Sequence, residues 1–245
     1  MAVVPYKEKN TSKKSQVAEM FDNISPKYDF LNHFLSLGID IWWRKTALKR
    51  LKRYLKGKKI DNLLDVATGT GDFALEAHTI LAPKKIIGID ISEGMLSFGY
   101  PKIKKRAIQN IMTLEVGDSE NLRFEDNTFD VVIVAFGVRN FENLEKGLQN
   151  IYRVLKPNGY LLVLEFSKPK IFPLKQFYQL YFTNILPMVG RFVSKDNAAY
   201  TYLPESVNAF PDGEKFIDVL LSIEFRNVEC RTLTAGVCSA YYAQK

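Results

Sequence analysis

Apolar positions divide the chain into two textures. From Ser15, the residues Val17, Met20, Phe21 and Ile24 recur at helical spacing. A turn is expected at Ser25-Pro26, followed by a second helical stretch carrying Tyr28, Leu31, Phe34 and Leu35. A third predicted helix runs from about Asp40 to Lys56, with Ile41, Ala47, Leu48, Leu51 and Leu55 along its apolar side. Residues 1–14 are polar and basic (Lys7, Lys9, Lys13, Lys14) and read as a loosely held arm.

From residue 60 the period changes. Short apolar runs at Leu63–Ala67, Ile86–Asp90, Met112–Val116, Phe129–Phe136 and Tyr160–Phe166 read as strands. Between them, Phe73–Leu81, Glu93–Lys105 and Leu144–Leu155 read as helices, the last stopping at Lys156-Pro157-Asn158-Gly159. Continuous apolar strands alternating with helices imply a parallel sheet covered on both faces. The stretch from Ile171 to Val193 breaks the rhythm: only Lys175 and Arg191 are charged, and Phe172, Phe177, Tyr178, Tyr181, Phe182 and Phe192 crowd it. Pro173 and Pro187 bound a helix there too short to cross a bilayer. Helical spacing resumes over Ala198–Ala209 and Glu214–Ile223. The chain closes with Arg226–Thr232 and Val237–Ala243, expected as an antiparallel strand pair. The expected organisation is one domain. It comprises a flexible arm (1–14), a helical cap (15–57), an α/β core (60–167), a helical insertion (168–212), and a C-terminal helix with two strands (213–245).

Composition narrows the picture only slightly. The 245 residues carry 34 Lys and Arg against 27 Asp and Glu, a net charge of +7, which suits an anionic partner of some kind. Nine of the basic residues fall between Arg44 and Lys59, a stretch without an acid: Arg44, Lys45, Lys49, Arg50, Lys52, Arg53, Lys56, Lys58 and Lys59. This run reads as a solvated helix face or as a contact for anionic lipid headgroups. Two cysteines, Cys230 and Cys238, cannot build a disulfide framework and are expected as reduced thiols. Two histidines, His33 and His78, match no metal-binding pattern, so no metal site is expected. With no signal-peptide core and no long apolar run, the expected location is the cytoplasm.

The most informative segment is Leu63–Phe73 (LLDVATGTGDF), where a strand enters a glycine-rich turn that opens a helix. Gly69 and Gly71 permit positive φ and close approach of a ligand to the backbone. Asp90, 21 residues after Gly69, ends the next strand, where a carboxylate can accept from vicinal ribose hydroxyls. Gly69-x-Gly71-x-x-Ala74 also fits a dinucleotide fingerprint. Asp65 separates the two readings: a carboxylate gains nothing beside a pyrophosphate, but it can partner the ammonium of S-adenosylmethionine, directly or through water. Asp118 and Ser119, after the third strand, can read the adenine edge. These acids and glycines on successive strand ends resemble the class I S-adenosylmethionine-dependent methyltransferases. That resemblance implies a Rossmann-like α/β fold with a seven-stranded, mostly parallel sheet whose last strand is antiparallel. The expected cofactor set is Asp65, Gly69, Thr70, Gly71, Asp90, Ile91, Asp118, Ser119 and Ala135.

Nucleic-acid methylation is not supported. There is no Pro-Pro pair of the kind found in amino-methylating DNA enzymes, and neither cysteine follows a proline as in cytosine C5 enzymes. Three further stretches are Tyr28–Arg44 (YDFLNHFLSLGIDIWWR), Phe136–Asn140 (FGVRN) and Arg153–Ser167 (RVLKPNGYLLVLEFS). With Tyr202–Ser206 and Leu233–Val237, they closely resemble the ubiquinone/menaquinone biosynthesis C-methyltransferase family, from about residue 17 to the end. Asp40 and Tyr241 stand where that family usually has histidine, and Asn158 where it has glycine. Ala135 replaces the serine of ubiquinone-pathway members and favours the menaquinone branch.

The resemblance implies methyl transfer to a ring carbon of a polyprenylated quinol such as demethylmenaquinol. Arg139, an always-protonated guanidinium, would stabilise a developing phenolate or orient a water. Asn140 would position that water or a quinol oxygen, and Asp29 would be the base. Tyr28, Asn32, Tyr200 and Tyr202 would line the substrate cavity. The aromatic stretch would wall the isoprenoid tail, the basic run would contact the membrane surface peripherally, and a homodimer is compatible with the reading. The ubiquinone-pathway quinol, another small molecule or RNA remain alternative substrates, and a cofactor-binding scaffold without activity remains the alternative class.

Overall fold

The computed structural model describes residues 3–36, 38–180 and 198–245, with the side chains at 27, 29–35, 174, 177, 179 and 200 outside the description. The core is a seven-stranded sheet built from β1 (Asn62–Val66), β2 (Lys85–Asp90), β3 (Met112–Val116), β4 (Phe129–Ala135), β5 (Leu155–Phe166), β6 (Arg226–Leu233) and β7 (Cys238–Gln244). Their order is β3-β2-β1-β4-β5-β7-β6. β1 to β5 pair in parallel, whereas β7 runs antiparallel to both β5 and β6. The order reverses at β1 and β4, and in open α/β sheets ligands bind beyond the strand ends at such a switch.

Alternation along each strand sends neighbouring side chains to opposite faces. Leu63, Leu162 and Tyr242 pack with α2 (Ile39–Leu55), α3 (Asp72–Leu81) and α4 (Glu93–Lys105). Leu64, Leu161 and Tyr241 pack with α5 (Leu144–Val154) and α8 (Glu214–Ser222). Because both faces are covered, the strands read as unbroken apolar runs rather than alternating ones.

The cap departs from the expected pattern in two places. Instead of turning at Ser25-Pro26, α1 runs unbroken from Lys13 to Leu35 with Pro26 inside it. Proline has no N–H for the carbonyl of Asp22, but the Ser25 hydroxyl donates to that oxygen at 2.9 Å and fills the gap. Residues 3–12, expected within a loose arm, are tied down. Gln16 accepts from the Tyr6 amide at 2.9 Å and donates to the carbonyls of Lys9 and Thr11. Val3 and Tyr6 also pack on the cluster that joins Val17, Met20 and Ile24 of α1 to Ala199 and Tyr202 of α7 (Ala198–Ala209).

Residues 156–159, expected as a stop between helix and strand, belong to β5. The Asn158 amide donates to the Lys245 carbonyl at 3.0 Å and the Lys245 amide to the Gly159 carbonyl at 3.1 Å, so the chain terminus supplies a partner no local reading could show. Of the aromatic insertion, α6 (Leu174–Leu180) is described, and Tyr181, Phe182 and Phe192 lie outside the described residues. Cys230 and Cys238 are both free thiols.

Candidate functional site

The turn after β1 is built from backbone conformations that few residues adopt. Ala67 (φ 53°), Gly69 (φ 58°) and Gly71 (φ 82°) all lie in the left-handed region. The Thr68 amide donates to the Ile89 carbonyl at 2.9 Å, and that of Gly71 to the Thr68 carbonyl at 2.9 Å, so the loop folds against β2. It thereby meets Asp90, whose two carboxylate oxygens accept from the amides of Gly69 (2.8 Å) and Ser92 (2.9 Å). Burial outweighs these donors and pushes the Asp90 carboxyl up to about 6.

Beside this loop lies an open cleft. Gly69, Asp90, Ile91, Asp118, Ser119, Ala135, Asn140 and Tyr28 of the expected set line it. Asp65, Thr70, Gly71, Arg139 and Tyr202 do not line it. The side chains of Asp29, Asn32 and Tyr200 lie outside the described residues.

Asp65 is fully buried at the end of β1. Its Oδ2 accepts from the Thr68 hydroxyl at 2.6 Å, while its Oδ1 has no partner among the described residues. Burial raises this carboxyl to about 7. A buried, unsatisfied acceptor beside a glycine cradle fits a ligand that brings a positively charged donor. Together with the Asp90 carboxylate, it makes the residues present fit S-adenosylmethionine.

Three features of the cleft were not read from the sequence. Lys14 of α1 reaches Asp118, with Nζ 2.6 Å from Oδ2, so the expected adenine-reading carboxylate already holds a cation. Lys13 beside it donates to the carbonyls of Arg139 (3.1 Å) and Phe141 (2.8 Å). Asp22 accepts from the Ser92 hydroxyl (2.6 Å) and the Gly94 amide (2.9 Å), fastening α1 to the first turn of α4. All three are single polar residues on a helix, and nothing local marks them.

Across the cleft, β4 ends in Ala135, and Phe136 takes a left-handed φ of 56°. For a bulky aromatic this is strained, and such strain gathers at functional sites. The 3₁₀ turn Val138–Asn140 follows. Asn140 faces the cleft, while Arg139 turns the other way: Nη1 donates to Glu165 Oε1 at 2.7 Å and to the Phe136 carbonyl. Its guanidinium lies 5.5 Å from the centre of the Phe166 ring. Trp43, Phe136 and Phe166 form an aromatic cluster with centroids 4.7–6.2 Å apart, and Trp43 Nε1 donates to the Thr234 hydroxyl at 2.7 Å. The Tyr202 hydroxyl is buried without a partner among the described residues. The sequence signal for Glu165 is an acid inside an apolar strand, which a buried fold must pair with a cation.

The model of the ubiE/COQ5 methyltransferase family matches residues 9–245. A demethylmenaquinone methyltransferase of Bacteroides fragilis is 48% identical over 244 residues, covering 99% of this chain and 97% of that protein. One from Porphyromonas gingivalis is 41% identical over 244 residues, covering 99% of this chain and 98% of that protein. A ubiquinone/menaquinone biosynthesis C-methyltransferase UbiE of Geotalea daltonii is 41% identical over 238 residues, covering 97% and 99%. Among solved structures, a phosphoethanolamine N-methyltransferase 2 of Haemonchus contortus in complex with S-adenosyl-L-methionine superposes with a TM-score of 0.60 at 18% identity, covering 89% of this chain and 59% of that one. A putative S-adenosyl-L-methionine-dependent methyltransferase of Methanococcus maripaludis gives 0.58 at 18% identity, covering 98% and 96%. These two show the fold.

Proposed function

The chain belongs to the ubiE/COQ5 methyltransferase family, and on that footing we propose that it methylates a ring carbon of a polyprenylated quinol, demethylmenaquinol to menaquinol, using S-adenosylmethionine. The relatives at 41–48% identity that carry the demethylmenaquinone name support the naphthoquinol ring over the benzoquinol. So does Ala135.

Bound in the cleft, S-adenosylmethionine supplies a sulfonium methyl that is already electrophilic. Asp90 would accept from its ribose hydroxyls, Asp118 and Ser119 would meet the adenine, and Asp65 Oδ1 would take the ammonium, directly or through water. The glycines at 69 and 71 leave the backbone bare for this. The observation that carries the reading is the Phe136–Asn140 turn, which lines the cofactor cleft on one side and puts Arg139 among the aromatics on the other. A ring held there sits at the junction. Alignment of ring carbon and methyl contributes as much as about 7–11 kcal/mol. Arg139 stabilises the phenolate that makes the ring carbon nucleophilic. Asn140, with its Oδ1 buried and unpartnered among the described residues, orients a ring hydroxyl or a water.

No described helix is long and apolar enough to cross a membrane. Contact with a membrane surface through α2 is a finer reading. Ile39, Ile41 and Trp42 are exposed there, ahead of the basic run 44–59. Transfer of labelled methyl from S-adenosylmethionine to demethylmenaquinol, compared with its ubiquinone-pathway counterpart, tests activity and ring preference together. Absence of label in both overturns the reading.

A further inference from the structure

Glu165 is 0% exposed at the C-terminal end of β5, between Leu164 and Phe166. Its Oε1 accepts from Arg139 Nη1 (2.7 Å) and the Phe166 amide (2.9 Å), and its Oε2 from the Arg139 amide (3.4 Å). Taking such a pair out of water costs several kcal/mol per ion, and an apolar replacement often stabilises a protein, so stability alone is a poor reason to keep it. Polar capacity around the pair is left over. Arg139 Nε, Asn140 Oδ1 and the Tyr202 hydroxyl are buried and unpartnered among the described residues.

Among the described residues, the groups facing Glu165 electrostatically come from four elements: Arg139 on the 3₁₀ turn, Tyr178 on α6, Tyr202 on α7 and Cys238 on β7. Burial holds both tyrosines and the thiol above their ordinary values, Tyr202 at about 12, so none of the three is an acceptor near neutral pH. Arg139 cannot accept a proton either. Among the described residues the carboxylate is left, the side chain of Asp29 lying outside them.

Resting on the quinol reading above, we propose that Glu165 is the acceptor of the ring-hydroxyl proton, and that Arg139 exchanges this carboxylate for the ring oxygen as the proton arrives. The hydroxyl O–H bond breaks, and the proton crosses one bridging hydroxyl or water to form an O–H bond on Glu165. The electron pair stays on the ring oxygen. The guanidinium, relieved of an ionised partner, pairs with the new phenolate, so the pocket gains no net charge. Burial raises the Glu165 carboxyl against the pull of Arg139, which favours the protonated product. Methylation of a neutral ring by a cationic donor releases one proton per turnover, and Glu165 is its first stop.

Two measurements test this. Glu165→Gln keeps the shape and the Arg139 contact but cannot take a proton. Its turnover at neutral pH is expected to fall about 10²–10⁴-fold and to climb with pH where the wild type is level, with cofactor affinity by calorimetry and quinol KM unchanged. Glu165→Asp is expected to keep the wild-type pH profile at reduced turnover. Unaltered turnover in Glu165→Gln, or a loss that runs parallel to the wild type across pH, overturns the proposal. The second measurement needs no cofactor: a nitronaphthol is bound at a pH where it is neutral in solution. The wild type is expected to show phenolate absorbance without releasing a proton to an indicator dye, and Glu165→Gln to form phenolate only with release. Release by the wild type also overturns the proposal. If the wild type methylates no quinol, the function reading fails, while the nitronaphthol result still reports on Glu165.

Discussion

The two halves of the site are built in different ways. On the side proposed for the cofactor, the Asp90 carboxylate accepts from the backbone amides of Gly69 and Ser92, and Asp65, Asp90 and Asp118 lie at or just past the ends of neighbouring strands. On the other side, where the ring is proposed to sit, side chain meets side chain across long sequence distances. Trp43 comes from α2, Arg139 from the turn after β4, Glu165 from β5 and Tyr202 from α7. A cradle of backbone and strand ends is as rigid as the sheet and recognises a constant ligand. A room lined by side chains from four elements can be reshaped by single substitutions and suits the variable partner.

This contrast can be broken. The largest effect is expected from Asp90→Ala. Losing two hydrogen bonds to a charged acceptor, each about 1.5–3 kcal/mol, should weaken S-adenosylmethionine binding by about 10²–10⁴-fold while the circular-dichroism spectrum is kept. Unchanged calorimetric affinity would place the ribose elsewhere. Arg139→Ala should lower turnover by about 10²–10³-fold and leave cofactor affinity alone. Arg139→Lys should not restore it, because an ammonium cannot keep the Phe136 carbonyl while passing from Glu165 to a ring oxygen as a planar fork does. A matching loss of cofactor affinity would erase the division between the halves.

A third test uses pH. The Asp65 and Asp90 carboxyls are raised to about 7 and about 6 in the fold, above the value near 3.8 of a free carboxyl. Native protein therefore binds more protons than unfolded protein between those values, and stability falls as pH rises from about 4 through 7. Without cofactor the melting temperature should be higher at pH 5 than at pH 8. Asp65→Asn should flatten that slope, raise the pH 8 value by roughly 2–4 °C per kcal/mol recovered, and weaken cofactor binding. A slope unaltered in Asp65→Asn would assign it to other groups. The smallest effect concerns Lys14, whose pair with Asp118 is partly solvated and worth no more than about 1 kcal/mol. Lys14→Met should free Asp118 for the adenine and raise affinity by no more than about fivefold. A fall in affinity would instead make Lys14 a ligand of the cofactor.

How much of this was legible differs between the halves for the same reason that they differ in build. Asp65, the glycines and Asp90 follow a strand-turn-helix grammar in which a few consecutive residues specify the backbone, so their placement can be read where they stand, whereas Asp118 follows β3 in a loop that leads to β4 without a helix. Arg139 was legible as a residue of interest through its motif, but its direction was not, because that is set by an acid 26 positions later. Lys14 and Asp22 were missed outright, since a lysine and an aspartate on a helix carry no mark of what they will touch.

The chain's own order of residues determined the alternation of strands and helices, the closing strand pair and the cradle, because these depend on hydrophobic period and local turn chemistry. Tertiary structure decided the rest. It extended β5 by pairing residues 158 and 159 with the terminus, and it closed a buried Arg139–Glu165 pair inside an aromatic room. Each of these rests on a partner far along the chain, or on burial that strengthens a charge interaction beyond what water allows, and neither can be seen until the chain is folded.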